Sequence, residues 1–169
     1  MKDNYGVNVM NLSNIYLGVD TGYFGKDFSH RDLRRRNFNE QYLNFVIFTD
    51  ANLRYATFIY ATLNNVNFTG ADLRYANFLN ATLLNINNFS NADLRGVNLS
   101  NINLSNVNFR GANLSNANLD GADLRNANLT GANLRNAKLR NTKLRGATFS
   151  NTICPDGRTT VLEFPRCNP

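Results

Sequence analysis

The sequence predicts an all-β chain wound into a four-sided coil of short extended segments. Three observations carry this: large apolar residues recur every five positions, a smaller apolar residue stands two places before each, and similar residues recur every twenty positions.

From Phe28 a phenylalanine or leucine occupies every fifth position through Leu83 (Phe28, Leu33, Phe38, Leu43, Phe48, Leu53 and onward). After one additional residue the series resumes at Phe89 and continues through Phe149, giving 25 such positions. Two residues earlier in most repeats stands a small or β-branched residue, as in Ala51, Ala56, Ala61, Val66, Ala92, Val97 and Ile102. Most remaining positions hold Asn, Asp, Ser, Thr, Arg, Lys or Gly. Each repeat therefore offers one large and one small apolar side chain to a shared interior.

An α-helix cannot do this, because a step of five advances about 500° and smears the apolar residues around the cylinder. A flat strand fails too, since side chains alternate with a period of two. A chain that turns a corner every five residues points the same two side chains inward each time. The number of sides follows from the longer period. The residue after the central leucine runs Arg34, Arg54, Arg74, Arg95, Ser115 and Arg135, and a second column runs Ser29, Thr49, Thr69, Ser90, Arg110, Thr130 and Ser150. Both step by twenty, with one step of 21 across the insertion, so a turn has four sides. Coils spaced like strands, roughly 4.8 Å apart, would pack a narrow lumen with Phe, Leu, Ala and Val and leave no interior room for a ligand.

The repeats Ala71-Asp72-Leu73-Arg74-Tyr75 and Ala122-Asp123-Leu124-Arg125-Asn126 resemble the A(D/N)LXX motif of the pentapeptide-repeat family, and the likeness covers residues 26–154. The resemblance implies a right-handed quadrilateral parallel β-helix of about six coils, each of four five-residue repeats. It also implies a kind of protein common in cyanobacteria and other bacteria, and no enzymatic activity.

The repeats divide the chain into an N-terminal cap segment at 1–25, the β-helix at 26–154 and a C-terminal cap or tail at 155–169, because both ends of a solenoid need covering. Lys26, Arg31, Arg36 and Gln41 replace the small apolar residue in the first coil, which predicts corners open to solvent or to the N-terminal segment. The insertion falls within 85–88, where Ile86 keeps the old register and Phe89 the new, and predicts a bulge near Asn87. Asn98, Asn103, Asn108, Asn113, Asn118, Asn128 and Asn133, each before a central residue, are expected to stack amides into ladders between coils. Pro155-Asp156-Gly157 signals a turn, after which Val161-Leu162-Glu163-Phe164 would fold over the last coil.

No nucleophile with a base, no zinc-ligand spacing and no phosphate loop can be assembled, and His30 stands alone, so no enzyme, metal or cofactor is expected. Cys154 and Cys167 are too few for a disulfide framework; they can pair in an oxidising compartment, or Cys154 remains an inert thiol packed in the lumen. Without an 18-residue apolar run or a signal-like apolar segment, no membrane span is expected and a cytoplasmic location is the default.

Two surface features invite a partner. One is the arginine column with Asp32, Asn52, Asp72 and Asp93 two residues before its members. With Tyr55 and Tyr75 beside Arg54 and Arg74, it forms either an anion- or partner-binding strip or a ladder of solvated ion pairs, and the ladder is the preferred reading. The other is the apolar group Ile59, Tyr60, Leu79 and Leu84 at outward positions, expected to contact a protein partner or a second copy; the end caps are another route to self-association. The family resemblance also raises DNA-mimic binding to a type II topoisomerase such as DNA gyrase. That mechanism needs an acidic rod, and the net charge of +6 argues against it. The basic residues Arg135, Lys138, Arg140, Lys143 and Arg145 suggest non-specific binding to nucleic acid or an anionic surface, but no aromatic residues interleave with them for base stacking. A non-catalytic structural or protein-interaction module is the resulting expectation.

Overall fold

A backbone that changes direction every five residues needs a residue at each corner in a conformation that reverses its path. In a computed structural model that describes residues 22–85, 87–160 and 167, the second residue after each central one has φ between +52° and +78° from Gly25 to Asn151. At most corners the carbonyl of the central residue accepts the N–H three residues on, as from Ala51 to Phe48 at 3.1 Å and from Ala132 to Leu129 at 2.9 Å. A closed β-turn with a left-handed third residue has the signature of type II.

Successive coils pair in parallel at a step of twenty, as Ile47 with Asn67 and Asn113 with Asn133, and at 21 where Asn67 meets Asn88. On one side the bridges lengthen into β1 (Tyr42–Asn44), β2 (Thr62–Asn64) and β3 (Thr82–Leu84), a parallel sheet in that order with Leu43, Leu63 and Leu83 in register. The result is a right-handed quadrilateral β-helix.

Inside, Phe28, Phe48, Phe68, Phe89 and Phe109 form one column with neighbouring rings 4.7–5.5 Å apart. Phe38, Phe58 and Phe78 form a second column on the opposite side, at 5.1 and 4.6 Å. The columns meet edge-on across the lumen, as Phe48 with Phe58 at 83°. Stacking along the axis with edge contacts across it uses both favourable aromatic geometries, and area burial is supplemented by about 0.5–1.5 kcal/mol per ring pair. The first coil is open where Arg31 and Arg36 are exposed in place of buried alanines. Coil geometry begins before Phe28: Tyr23 sits in the central column edge-on to Phe38, and Gly25 donates to the Asn44 carbonyl at 2.8 Å.

The asparagines before the central residues do something other than ladder formation. All seven named above accept, through Oδ1, the N–H of the residue two positions on, at 3.0–3.2 Å. At the corner that N–H has left the parallel ladder, and the short side chain satisfies it locally. Of the seven, Asn108 also donates to an amide in the coil before, that of Asn88 at 3.0 Å. An amide ladder does run elsewhere, from the corner residue Asn85 to Asn64 to Asn44, the last two directly following central leucines.

At the insertion, Ile86 lies outside the described residues. Asn87 takes the inward position and is fully buried. The corner after β2, like the corner after β1, lacks the bond from the N–H three residues on to the carbonyl of the central leucine. Val66 N–H donates to Asn87 Oδ1 at 2.9 Å, and Asn87 Nδ2 donates to the carbonyls of Leu63 and Leu84 at 3.3 and 3.1 Å. One carboxamide thus replaces a missing backbone bond, which is why a polar residue is tolerated in the lumen.

At the C-terminal end Ile153 pairs antiparallel with Thr159, Cys154 N–H donates to the Arg158 carbonyl at 2.7 Å, and Thr160 N–H donates to the Thr152 carbonyl at 2.8 Å. The reversed segment occupies the edge where a further coil would add. Cys154 is a disulfide partner of Cys167, with Cα atoms 5.3 Å apart, and both are buried; the free lumenal thiol considered above is thereby corrected. Residues 161–164 lie outside the described residues.

Two stability outcomes follow. Gly121→Ala places a Cβ on Asn101 Oδ1 at φ +70°, and should destabilise by about 1–3 kcal/mol in thermal unfolding, whereas Asn126→Gly should change little. Reducing the Cys154–Cys167 bond should lower the unfolding midpoint measured by circular dichroism; the chain-entropy model assigns a loop of this length about 3 kcal/mol.

Candidate interaction surface on the first coils

The corner residues differ in kind along the rod. After the insertion they are without exception Asn or Gly through Asn151: Asn91, Gly96, Asn101, Asn106, Gly111, Asn116 and their successors. Before it, the same backbone conformation is imposed on His30, Arg35, Glu40, Phe45, Tyr55, Tyr60 and Tyr75. A residue with a bulky side chain loses about 1–2 kcal/mol in this region, while Gly, and Asn by local hydrogen bonding, adapt to it. Burial does not offset that cost here, because Phe45, Tyr55, Tyr60 and Tyr75 remain 46–61% exposed.

On the side formed by Leu33, Leu53, Leu73 and Leu94, the rings of Tyr55 and Tyr75 stack at 5.2 Å and 12°. Tyr75 lies under Gly96, where an added Cβ would come within 3.1 Å of the ring. Beside them runs the arginine column. Arg34, Arg74 and Arg95 each turn a guanidinium onto the aspartate two residues earlier, at 2.6, 2.5 and 2.7 Å. Arg74 also lies 3.6 Å from Asp93. The hydrogen bond from Arg34 holds the Asp32 carboxyl below its ordinary range. Burial works to raise Asp72, but the hydrogen bonds and charge of Arg74 prevail and lower it.

Arg54 breaks the series. Its repeat carries Asn52, whose Oδ1 accepts the Arg54 backbone N–H at 3.4 Å. Its guanidinium carbon is 5.8 Å from the Tyr55 ring centre, and its Nε is enclosed with no acceptor. Asp32, Arg34, Arg35, Arg54 and Tyr55 line an open depression of about 530 Å³.

The apolar group is less uniform than its sequence positions imply. Tyr60 and Leu79 are exposed, but Ile59 is half-buried, with its N–H bonded to Asn39 Oδ1 at 2.9 Å. Leu84 is exposed at the end of β3, on the next side. Three exposed aromatic residues escaped the sequence reasoning: Phe24 and Phe45, edge-on at 5.6 Å, and Tyr42 on β1. Their signal was available as large residues in columns that continue with Asn44 and Asn64 after Phe24, Thr62 and Thr82 after Tyr42, and Asn65 and Asn85 after Phe45. Farther along, Arg140 pairs with Asp120 at 2.9 Å, and Arg125 and Lys143 share Asp123, which partly neutralises the basic C-terminal coil. Among the described residues no group of three His, Cys, Asp or Glu could hold a metal ion, and no helix is long and apolar enough to cross a membrane.

A lumen filled by repeat side chains, with the charged groups of the described residues on the exterior, defines a solenoid repeat protein. The chain belongs to the pentapeptide repeat family: the family model matches in eight copies, over residues 51–85, 88–126 and 117–153. No curated protein sequence matches it. Among solved structures it is similar to two trypsin-treated forms of QnrB1, a plasmid-mediated fluoroquinolone resistance protein. One has a TM-score of 0.64 at 15% identity, covering 86% of this chain and 81% of that one. The other has a TM-score of 0.62 at 19% identity, covering 73% and 72%. The pentapeptide repeat protein Rfr23 of the cyanobacterium Cyanothece 51142 is 33% identical, covering 73% of this chain and 84% of that one, with a TM-score of 0.33.

The carboxylates fix the sign of the pH dependence. Asp32, Asp72, Asp120 and Asp123 are all lowered in the folded chain, so their stabilisation is present above the unfolded carboxylate range near 3.9 and is lost as pH falls through their lower folded values. Thermal midpoints should fall between about pH 4 and pH 2, and an Asp72→Asn, Asp123→Asn variant should show a shallower acid limb.

Proposed function

We propose that this chain is a non-catalytic protein-interaction module whose contact surface lies on the coils before the insertion. The observation that carries the reading is the replacement of Asn and Gly by Arg35, Phe45, Tyr55, Tyr60 and Tyr75 at left-handed corners where those side chains remain exposed. Backbone strain without compensating burial is retained where it serves function. Tyr and Arg are the residues most enriched at the energetic centres of protein interfaces, and Leu79 adds apolar area beside Tyr60. Binding that mimics DNA would require an acidic exterior, and the net charge of +6 with exposed Arg34, Arg35 and Arg36 works against it. The Cys154–Cys167 bond favours an oxidising compartment as the place of action over the cytoplasmic default.

The test is a Tyr55→Asn, Tyr60→Asn, Tyr75→Asn variant, which converts three corners to the residue used in later coils. It should fold, gain about 1 kcal/mol of stability at Tyr60 and less at Tyr55 and Tyr75, where the stacked ring pair is lost, and lose association, read as solution mass by sedimentation and as partner recovery from the native organism. Retention of both solution mass and partner recovery would show that these corners are not a contact surface. In a DNA gyrase supercoiling reaction the unaltered protein should leave the rate unchanged.

A further inference from the structure

We propose that the depression lined by Arg34, Arg35, Arg54 and Tyr55 is a carboxylate-binding site, which takes an aspartate or glutamate side chain from an acidic protein segment. The inference rests on the interaction-module reading in that a protein presents the ligand.

The argument starts from the column itself. At Arg34, Arg74 and Arg95 the Nε and Nη2 edge of the guanidinium holds the carboxylate two residues earlier, with bonds of 2.5–3.1 Å. Side-on pairing of this kind matches the fork of arginine to the two oxygens of a carboxylate. Asn52 has the shape of the missing aspartate without its charge, so the second coil keeps the arginine and lacks the anion. The consequence is visible at Arg54, whose enclosed Nε has no acceptor. The neighbouring acids do not supply one. Asp32 is held by Arg34; Asp72 is held by Arg74 and attracts Arg54 through charge alone, with no hydrogen bond to its Nε. Three arginines and one already paired aspartate therefore face the same open depression, leaving an excess of positive charge.

The surroundings favour a protein carboxylate over a nucleic acid. Base stacking requires a free aromatic face. Tyr75 is covered by Tyr55 on one side and by the Gly96 backbone on the other, while Tyr55 is engaged by Tyr75 and by the Arg54 guanidinium. The ring edges remain for an extended peptide to lie along, and an incoming carboxylate would draw Arg54 off Tyr55 and complete its hydrogen bonds.

The experiment uses the full chain, labelled with ¹⁵N, titrated with acetyl-Glu-Asp-Glu-amide, with acetyl-Gln-Asn-Gln-amide and with inorganic phosphate. The acidic tripeptide should shift the Arg54 Nε–H and the amides of residues 34, 35, 54 and 55, and the neutral tripeptide should not. Asn52→Asp supplies the missing carboxylate from within and restores the residue used in the neighbouring coils, so it should fold and weaken tripeptide binding at least tenfold. Arg54→Gln should weaken it similarly. Undiminished binding to Asn52→Asp, absence of shifts with the acidic tripeptide, or tighter binding of phosphate at the same residues would each overturn the assignment. The two proposals fail separately. If tyrosine replacement abolishes association while the acidic tripeptide does not bind, the contact surface stands and the carboxylate site falls. If the tripeptide binds while the tyrosine variant associates normally, the site stands and the proposed contact surface falls.

Discussion

Everything in this molecule depends on a residue with positive φ at each corner. Five residues suffice for one extended segment and one turn, and the segment can be this short because the turn is a single closed β-turn. Without that conformation the chain would run straight, the inward pair of side chains would alternate faces, and no lumen would form. The parallel pairing of coils is a consequence of the same constraint, since identical corners bring each segment back over the one twenty residues earlier.

Closing a corner so tightly takes one backbone N–H out of the ladder at each turn. Asparagine or aspartate before most central residues accepts it, and the same side-chain length that makes these residues poor in helices makes them suited to this place. The composition of the chain, rich in Asn and poor in His and Trp, is therefore a record of local hydrogen bonding repeated once per side. Stacked phenylalanines then fill much of the lumen of the early coils, and leucines with alanines fill it between Phe109 and Phe149. Asn87 shows how far the scheme stretches: a buried amide is acceptable when its oxygen and nitrogen bond to three backbone groups around it.

The period of five, the four sides and the place of the insertion were legible because each depends on which residues are apolar, and spacing records that directly. The arginine column was legible for the same reason. What spacing does not record is backbone conformation. Tyr55, Tyr60 and Tyr75 read as outward residues of unusual type, whereas the structure shows them as outward residues under strain, and this distinguishes the first coils from the last. The orphaned Arg54 was hidden more deeply, since Asn52 is an ordinary residue at its position and its meaning appears only beside Asp32, Asp72 and Asp93. Ile59 was read as exposed from its column alone, but the Asn39 side chain bonded to its backbone belongs to the preceding coil, and half-burial follows from that neighbour.

Strain can be confined to one end because a solenoid couples each coil mainly to its neighbours. In a globular core, a set of unfavourable corners would weaken a single cooperative unit. Here the coils after the insertion use Asn and Gly at every corner through Asn151 and close on a disulfide-linked cap, so they form a regular base to which the strained coils attach. The extra residue at the insertion marks the boundary between the two regimes, and the Asn87 amide keeps the ladder continuous across it. A rod built this way can alter the chemistry of its first three coils, one corner at a time, without disturbing the lumen that holds it together. That separation of outward chemistry from inward packing is the physical reason a contact surface can be placed on a fold whose interior has no room for a ligand.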